Sequence, residues 1–174
     1  MLGLKRNTVR VVEYEADWAV RFEQEAAEFR KHIGDIAHDI QHVGSTSVPD
    51  LPAKPILDIA VAVPSVEMIP ALVRKLTSLG YIDRGDQGNE GGYLLVKESE
   101  PDVRFIHMHI VSKDDTQWHH YIRFRDILRQ NQDIREQYAD LKKRLAKQFP
   151  NNRGDYTSGK AHFIQTVLQQ VDSQ

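Results

Sequence analysis

What this sequence lacks excludes several classes of protein. Its 174 residues include no cysteine, which excludes disulfide bonds, thiolate metal sites and cysteine nucleophiles. The longest apolar run, residues 56–64, is interrupted by Asp58 and is far too short to span a bilayer. Residues 1–18 contain no apolar signal core. These absences predict a cytoplasmic protein that does not enter a membrane.

The sequence also lacks an excess of charge of either sign. The net charge is −2 and the isoelectric point is near 6.4, so no global basic field exists to attract nucleic acid. With 40% hydrophobic and 28% charged residues, the composition is that of a globular domain. We expect one domain over residues 1–174, with a core at about 15–112 and a helical part at about 113–172.

Apolar spacing predicts five helices. Trp18, Phe22, Ala26, Phe29 and Ile33 share one helical face, which follows Asp17 and ends near Gly34. Further helices are expected over residues 68–79, 114–129 and 156–171. Between the last two, a helix carries an apolar stripe made of Ile134, Tyr138, Leu141, Leu145 and Phe149.

Strand patterns cover residues 36–43, 56–63, 93–97 and 103–111, with a flexible turn at 86–92 and a short strand or arm at 9–13. In the second strand, Ile59, Val61 and Val63 point one way, and Asp58, Ala60 and Ala62 point the other way. The mixed order of elements predicts an α/β or α+β domain with a mixed sheet.

A Gly-Ser turn at the end of a predicted strand suggests phosphate binding. Backbone N–H groups after Gly44, with the hydroxyls of Ser45 and Thr46, can hold a phosphate. Twelve residues then separate Ser45 from Asp58. This layout resembles the signature of the nucleotidyltransferase fold, in which two acids hold Mg²⁺ ions on a triphosphate. Here the second acid is replaced by Ala60. The alternative is a surface turn and a strand whose Asp58 caps a neighbouring helix.

Longer blocks resemble the GrpB-like family of bacterial proteins. The segment HVGSTSVPDLPAKPILDI, residues 42–59, is similar to the typical sequence motif of that family, although Asp50 stands where the family usually has Gly. Other matching blocks lie between Trp18 and residue 171, namely LGY at 79–81, RFIHMHIV at 104–111, FRDILR at 124–129, YADLK at 138–142 and YTSGKAHFI at 156–164. The resemblance implies a nucleotidyltransferase-like fold with a mixed sheet, flanking helices and a helical C-terminal third.

Histidines stand where the superfamily has its third acid. We expect Phe105, His107, His109 and Val111 to share one face of their strand. Asp58, His107 and His109 would form a two-histidine, one-carboxylate set that suits Zn²⁺, Mn²⁺, Fe²⁺ or Ni²⁺ better than Mg²⁺. His42 is a candidate fourth ligand or a group that supports the ligands. The alternative is that these histidines only hydrogen-bond Asp58 or the backbone.

Basic residues in the matching blocks are candidates for anion binding. The predicted nucleotide-binding set is Gly44, Ser45, Thr46, Lys54, Arg104 and Lys160. Lys160 is expected near the start of the last helix, where a cation is unfavourable unless an anion lies opposite. For Arg129 we favour a surface salt bridge, for residues 142–144 a solvated helix face, and for His119 and His120 no role.

Three functions follow from these residues. The first is nucleotidyl transfer, with Asp58 as the catalytic, metal-binding acid and Mg²⁺ or Mn²⁺ as cofactor. The second is a module that binds a nucleotide or another phosphorylated small molecule without chemistry. The third is a metal-dependent enzyme that uses Asp58, His107 and His109 with Zn²⁺ or Ni²⁺. No nucleic-acid partner is expected.

Overall fold

The structure is a computed structural model that describes residues 1–88 and 92–172, with side chains described as far as residue 170. Within these residues lie six strands and five helices. The strands are β1 (Leu4–Lys5), β2 (Asp39–Val43), β3 (Leu57–Val63), β4 (Ile82–Asp86), β5 (Tyr93–Glu100) and β6 (Val103–Ser112). The helices are α1 (Asp17–Ile33), α2 (Ile69–Ser78), α3 (Thr116–Gln130), α4 (Gln132–Gln148) and α5 (Arg153–Asp172).

The strands form one mixed sheet in the order β2-β3-β6-β5-β4, and β1 pairs with the beginning of β6. The central pair, β3 and β6, is parallel, and the other pairs are antiparallel. The register places Asp58 beside His107 and Ala60 beside His109. A mixed sheet with flanking helices and a helical C-terminal third is therefore confirmed.

Helices cover both faces of the sheet because β3 is apolar on both sides. Ile59, Val61 and Val63 pack with α1 and α2 in the larger core. Ala60 and Ala62 face the other way and pack under Trp118 of α3. This alternation is the one that the sequence predicts.

The last two helices extend the second face. Tyr138 of α4 packs with Val48, Leu51 and Leu128, and it stacks on Phe163 of α5 at a centroid distance of 5.3 Å. The loop between β2 and β3 is therefore covered by α3, α4 and α5. That loop contains a single 3-10 turn, Ser45–Ser47, as its prolines predict.

Most predicted elements are confirmed, with shifted ends. The face of α1 is fully buried, and β2 begins at Asp39 rather than at residue 36. The arm at residues 9–13 makes one isolated bridge, between Val12 and Ala53. The two-residue strand β1 has no apolar alternation that could predict it. Residues 89–91 of the predicted flexible turn lie outside the described residues.

The position of Phe105 on β6 differs from the prediction. The pairing of β5 with β6 shifts register between Lys97–Ile106 and Glu98–Arg104. This β-bulge breaks the alternation at Phe105. Its ring packs in the larger core with Ile106 and Met108, away from His107 and His109. The prediction that Phe105 shares their face is wrong.

Among the described residues, no helix combines the length and the apolar character that crossing a bilayer requires.

Candidate functional site

Gly44 makes room for Asp58. It follows β2 with φ of 67°, in the left-handed region that favours glycine. A Cβ at this position would lie 2.6 Å from Oδ2 of Asp58 and 3.0 Å from its Cβ. Both its backbone angle and its neighbour therefore require glycine. The absent side chain lets the turn close directly over the carboxylate.

The turn after Gly44 is fixed by its own side chains and by His42. Ser47 Oγ donates a hydrogen bond to the carbonyl oxygen of Gly44 at 2.6 Å. His42 Nε2 lies 3.0 Å from Thr46 Oγ1, and the His42 ring stacks on Phe22 at 4.7 Å. Burial lowers the pKa of His42 to about 4, so the ring is neutral at pH 7. The structure thus places His42 against α1, where it supports the turn.

Asp58 faces both histidines of β6 with one oxygen. Its Oδ1 lies 3.4 Å from His107 Nδ1 and 3.8 Å from His109 Nε2. Burial raises the pKa of Asp58, but the hydrogen bonds and charges of the two histidines outweigh it and hold the pKa well below its usual range. Burial lowers the pKa of His107 to about 4, against the opposing effect of Asp58. The carboxylate is therefore the permanent charge here at neutral pH.

The three predicted metal ligands come together, but they do not form a ligand cage. In the part of the chain that the structure describes, no group of three or more His, Cys, Asp or Glu side chains is arranged to hold a metal ion. Both imidazoles instead approach the same oxygen of Asp58. A Mg²⁺, Mn²⁺, Zn²⁺ or Ni²⁺ site at Asp58, His107 and His109 stays a prediction.

The position of the missing second acid is closed by α3. Ala60 has no exposed surface and packs with Val43, Val111 and Trp118. The ring of Tyr121, also on α3, lies 5.3 Å from that of His109. A carboxylate at position 60 would be buried under this helix. The loss of the second acid and the packing of α3 are therefore consistent with each other.

Three lysines gather on the other side of the turn, and we call Lys54, Lys142 and Lys160 the lysine cluster. The Nζ atoms of Lys54 and Lys160 lie 5.0 and 4.8 Å from the ring centre of Tyr156. Lys142 is 1% exposed, and it donates a hydrogen bond to the carbonyl oxygen of Pro52. Among the described residues, neither Lys54 nor Lys160 has a hydrogen-bond acceptor or a carboxylate within bonding distance.

The charges of the lysine cluster interact with one another and with Asp58. Burial, followed by the charges of Lys160 and Arg153, lowers the pKa of Lys54 to about 7, and Asp58 opposes this. Burial lowers the pKa of Lys142 well below its usual value, with contributions from Lys160 and Lys54. Burial also lowers the pKa of Lys160, again opposed by Asp58. The cluster and the carboxylate thus belong to one electrostatic site.

Two tyrosines connect the lysine cluster to the turn. Burial raises the pKa of Tyr138, while a hydrogen bond with Ser45 lowers it. Burial also raises the pKa of Tyr156, with contributions from Tyr138 and Asp58. Both hydroxyls therefore remain protonated and can donate hydrogen bonds. Ser45, Lys54 and Lys160 of the predicted binding set lie together, beside Gly44, Thr46 and Asp58.

Arg125 and Arg129 hold α3 against this turn. Arg125 Nη1 donates to Gln41 Oε1 at 2.8 Å and to the carbonyl oxygen of His42 at 3.0 Å. Arg129 donates through Nε and Nη2 to the carbonyl oxygen of Ser47, at 3.0 and 2.7 Å. The predicted surface salt bridge of Arg129 is present, with Asp126 Oδ1 3.9 Å from Arg129 Nη1, and the bonds to Ser47 are an additional contact that the prediction did not include.

Arg104 lies apart from the lysine cluster. Its Nε is 3.6 Å from Glu98 Oε1, across the bulge of β5 and β6. Burial lowers the pKa of Arg104, followed by the charges of Arg84 and Arg6. The structure therefore groups Arg104 with other arginines rather than with Ser45 and Lys160.

Lys142 is the site residue that the predicted set omits, and its expected place on a solvated helix face is wrong. It lies four residues after Tyr138 and three before Leu145, inside the apolar stripe of α4. That spacing is a signal that could have identified it. Lys160 also differs from expectation, because α5 begins at Arg153. Lys160 therefore lies about two turns into the helix, and Arg153 occupies the first turn.

A surface groove runs between α4 and α5. Leu141, Phe163 and Val167 contribute to its lining. Asp58, Ser45 and the lysine cluster do not line it.

Comparison with known proteins gives consistent matches over nearly the whole chain. The sequence profile of the family described as "GrpB protein" matches residues 8–170. Glutamate-rich protein GrpB of Alkalihalophilus pseudofirmus is 30% identical over 174 residues, which cover 98% of this chain and 100% of that relative. UPF0157 protein YqkA of Bacillus subtilis is 32% identical over 162 residues, which cover 93% of this chain and 47% of YqkA. The chain thus spans about half the length of that relative.

A solved structure has the same fold. The crystal structure of conserved protein GrpB from Enterococcus faecalis aligns with a TM-score of 0.82 at 35% sequence identity. The alignment covers 92% of this chain and 96% of that one.

Proposed function

The chain belongs to the GrpB family, and we propose that it binds a phosphorylated small molecule of the nucleotide class between the turn after Gly44 and the lysine cluster. One observation carries this proposal. Lys54, Lys142 and Lys160 converge beside Asp58, and Lys54 and Lys160 have no anionic partner within bonding distance among the described residues. Buried cations are costly unless an opposite charge is near.

A phosphate group fits the chemistry of the surrounding groups. Its negative charge would offset the mutual repulsion of the three ammonium groups. The hydroxyls of Ser45 and Tyr138 and the backbone after Gly44 supply hydrogen-bond donors. Asp58 would exclude anions from its own side of the site and direct them toward the lysines.

Binding without chemistry is the function that the geometry supports best. Two carboxylates are needed for the paired metals of nucleotidyl transfer, whereas Ala60 is buried under Trp118. Asp58 supplies a single negative charge, and the approach of both histidines to its Oδ1 occupies that oxygen. Nucleotidyl transfer to an acceptor, with Asp58 as the metal-binding acid, is the alternative.

Isothermal titration calorimetry would test the proposal with ATP, AMP, pyrophosphate and adenosine. We expect saturable binding of the three phosphorylated ligands and none of adenosine. Lys54→Met should weaken ATP binding at least tenfold, because it removes a cation from the site. Lys147→Met on the exposed face of α4 is the matched control, since it removes the same charge from a position outside the lysine cluster, and it should change the affinity less than twofold.

Two outcomes would contradict the proposal. One is the absence of heat from every phosphorylated ligand at millimolar concentration. The other is an equal loss of affinity in Lys54→Met and Lys147→Met, which would indicate nonspecific attraction. Release of pyrophosphate from ATP with added Mg²⁺ or Mn²⁺, abolished by Asp58→Asn, would favour the transferase instead.

A further inference from the structure

A second group of cations lies beside the lysine cluster, and we call Arg84, Arg104 and Arg153 the arginine cluster. Arg84 lies on β4 and Arg104 on β6, with Glu98 of β5 between them. Oε1 of Glu98 is 3.7 Å from Arg84 Nη2 and 3.6 Å from Arg104 Nε. These distances are too long for hydrogen bonds. Oε2 of the same carboxylate accepts from the backbone N–H of Asp102 at 3.0 Å.

The arginine cluster holds more buried donors than the described residues satisfy. Nε of Arg84, Nε of Arg104, and both Nε and Nη1 of Arg153 are buried and lack a hydrogen-bond partner among those residues. Oε1 of Glu98 is buried and without a partner there as well, so four unpartnered donors stand against one unpartnered acceptor. Only Nη2 of Arg153 is used, in long bonds of 3.3 and 3.4 Å to the carbonyl oxygens of Lys5 and Thr8. Buried guanidinium donors without acceptors are unfavourable, because their bonds to water are lost and not replaced.

Charge counting gives the same result. Two guanidinium groups, those of Arg84 and Arg104, face the single carboxylate of Glu98, and Arg6 lies near enough to lower the pKa of Arg104 after burial and Arg84. Arg153 links the two clusters: its pKa is lowered by burial and then by the charge of Arg104. Its own charge in turn contributes, after burial and Lys160, to the lowered pKa of Lys54.

We propose that the arginine cluster is a second anion-binding site, which takes a phosphate or carboxylate group. Guanidinium groups bind both oxyanions through paired N–H donors. An oxyanion there would accept from the unpartnered Nε and Nη1 atoms and would balance the excess positive charge. This site shares no residue with the lysine cluster, so its occupancy does not depend on the function proposed above. Since Arg153 joins the two clusters, the full site suits a ligand with two anionic groups.

Titration of the arginine Nε–H signals by ¹H–¹⁵N NMR tests this site directly. Inorganic phosphate and acetate are the two probes, which distinguish the two kinds of oxyanion. We expect the signals of Arg84 and Arg104 to shift and saturate with at least one probe. The same saturation should persist in the Lys54→Met/Lys160→Met variant, whose lysine cluster is weakened. Absence of ATP binding to the wild type, with saturable arginine shifts retained, would thus contradict only the earlier proposal.

Two substitutions separate an anion site from an internal ion-pair network. Glu98→Gln removes the competing carboxylate, so it should tighten phosphate binding at least threefold. Arg84→Met should weaken that binding at least tenfold, whereas Arg30→Met on the exposed face of α1 should not alter it. Shifts that stay linear up to high phosphate, or a Glu98→Gln protein with unchanged or weaker binding, would overturn the inference.

Discussion

Gly44 and Asp58 constrain each other more tightly than any other pair of the site. The carboxylate lies where a side chain of residue 44 would begin, and the turn that follows depends on the positive φ of Gly44. On the opposite side the carboxylate meets His107 and His109. The carboxylate is therefore enclosed by backbone on one side and imidazole on the other.

The Gly44→Ala substitution should destabilise the protein by about 2–5 kcal/mol, because it combines backbone strain with a clash. Gly80→Ala is the matched control. Gly80 has φ of 87°, and a Cβ there would meet nothing within 4 Å, so it should cost only about 1–2 kcal/mol. Chemical denaturation measures both values. In an Asp58→Ala background, which removes the 2.6 Å contact with Oδ2 and keeps the 3.0 Å contact with Cβ, the cost of Gly44→Ala should fall part of the way toward that of Gly80→Ala; an unchanged cost would show that the carboxylate is not the clashing group.

The neutral state of His42 makes the protein sensitive to acid. The unfolded chain binds a proton at His42 near pH 6.5, but burial lowers the pKa in the folded protein to about 4. The unfolded state therefore holds more protons between these values, and stability falls as the pH falls. The expected contribution is up to about 1.4 kcal/mol per pH unit. His42→Gln should remove this contribution, so between pH 6.5 and 4 the stability of the wild type should fall more steeply with falling pH than that of the variant. Parallel curves from pH 7 to 4 would disprove the assignment.

At the scale of elements, α3 determines what the site can contain. Its Trp118 covers Ala60 and Ala62, while Arg125 and Arg129 bind the carbonyl oxygens of His42 and Ser47. One helix thus closes the second face of β3 and holds the turn that carries Ser45. Changes at position 60 act on this packing before they act on any chemistry.

Restoring the second acid with Ala60→Asp should therefore destabilise the protein and should not create a metal site. An unpaired carboxylate under Trp118 costs about 2–5 kcal/mol. Ala60→Asn has nearly the same shape without the charge, so it should cost less at pH 7, and the difference should vanish below about pH 4 as the acid is protonated. Thermal unfolding at both pH values provides the measurement. A stable Ala60→Asp protein that gains Mg²⁺ binding would contradict this view of α3.

Sequence patterns predict strands that are paired regularly along their length. They miss features that depend on irregular strand pairing. Alternation on β3 gives its two faces correctly, because the whole strand is paired on both sides. It fails at Phe105, where a bulge and the two-residue β1 meet β6. Neither the bulge nor β1 has a recognisable pattern in the local sequence. The start of α5 is also missed, because Arg153 and Gly154 carry no apolar periodicity.

The sequence predicts the turn and the carboxylate of the candidate site, but it does not predict where the cations lie. Spacing alone brings Gly44, Ser45 and Asp58 together. The burial of Lys142 is not predicted, because a run of basic residues is typical of a solvated helix face. Only the position of Lys142 within the apolar stripe of α4 indicates that it is buried. The separation of Arg104 from Lys160 depends on the positions of β4 and α5, which no local pattern specifies.

At the scale of the whole molecule, charge is distributed unevenly. The net charge is −2, yet the lysine and arginine clusters bring cations near one another, with Arg153 interacting with Lys54 and with Arg104. Such a concentration opposes folding in the absence of an anion. The stability of the ligand-free protein is therefore lower than its packing alone would give.

Lys54→Met should accordingly stabilise the ligand-free protein by about 1–2 kcal/mol at pH 7, since it replaces a repelled cation by an apolar side chain. The pKa of Lys54 is about 7 in the folded protein and 10.5 in the unfolded chain. The penalty in the wild type therefore shrinks as the pH rises through this interval. Denaturation at pH 7 and pH 10 measures it. A variant less stable than the wild type, or a stabilisation that increases with pH, would show that the charge of Lys54 does not destabilise the folded protein.

The parallel pairing of β3 with β6 has a consequence for how the protein folds. Asp58 and His107 are neighbours in the sheet, but they come from segments separated by α2, β4 and β5. Contacts between such distant segments carry a large loop-closure cost and form slowly. Hairpins such as β5–β6 are local and can precede them. During synthesis, then, the chain exposes the Gly-Ser turn and Asp58 well before the strand that bears the histidines exists, and the candidate site is complete only after the central strands of the sheet have paired.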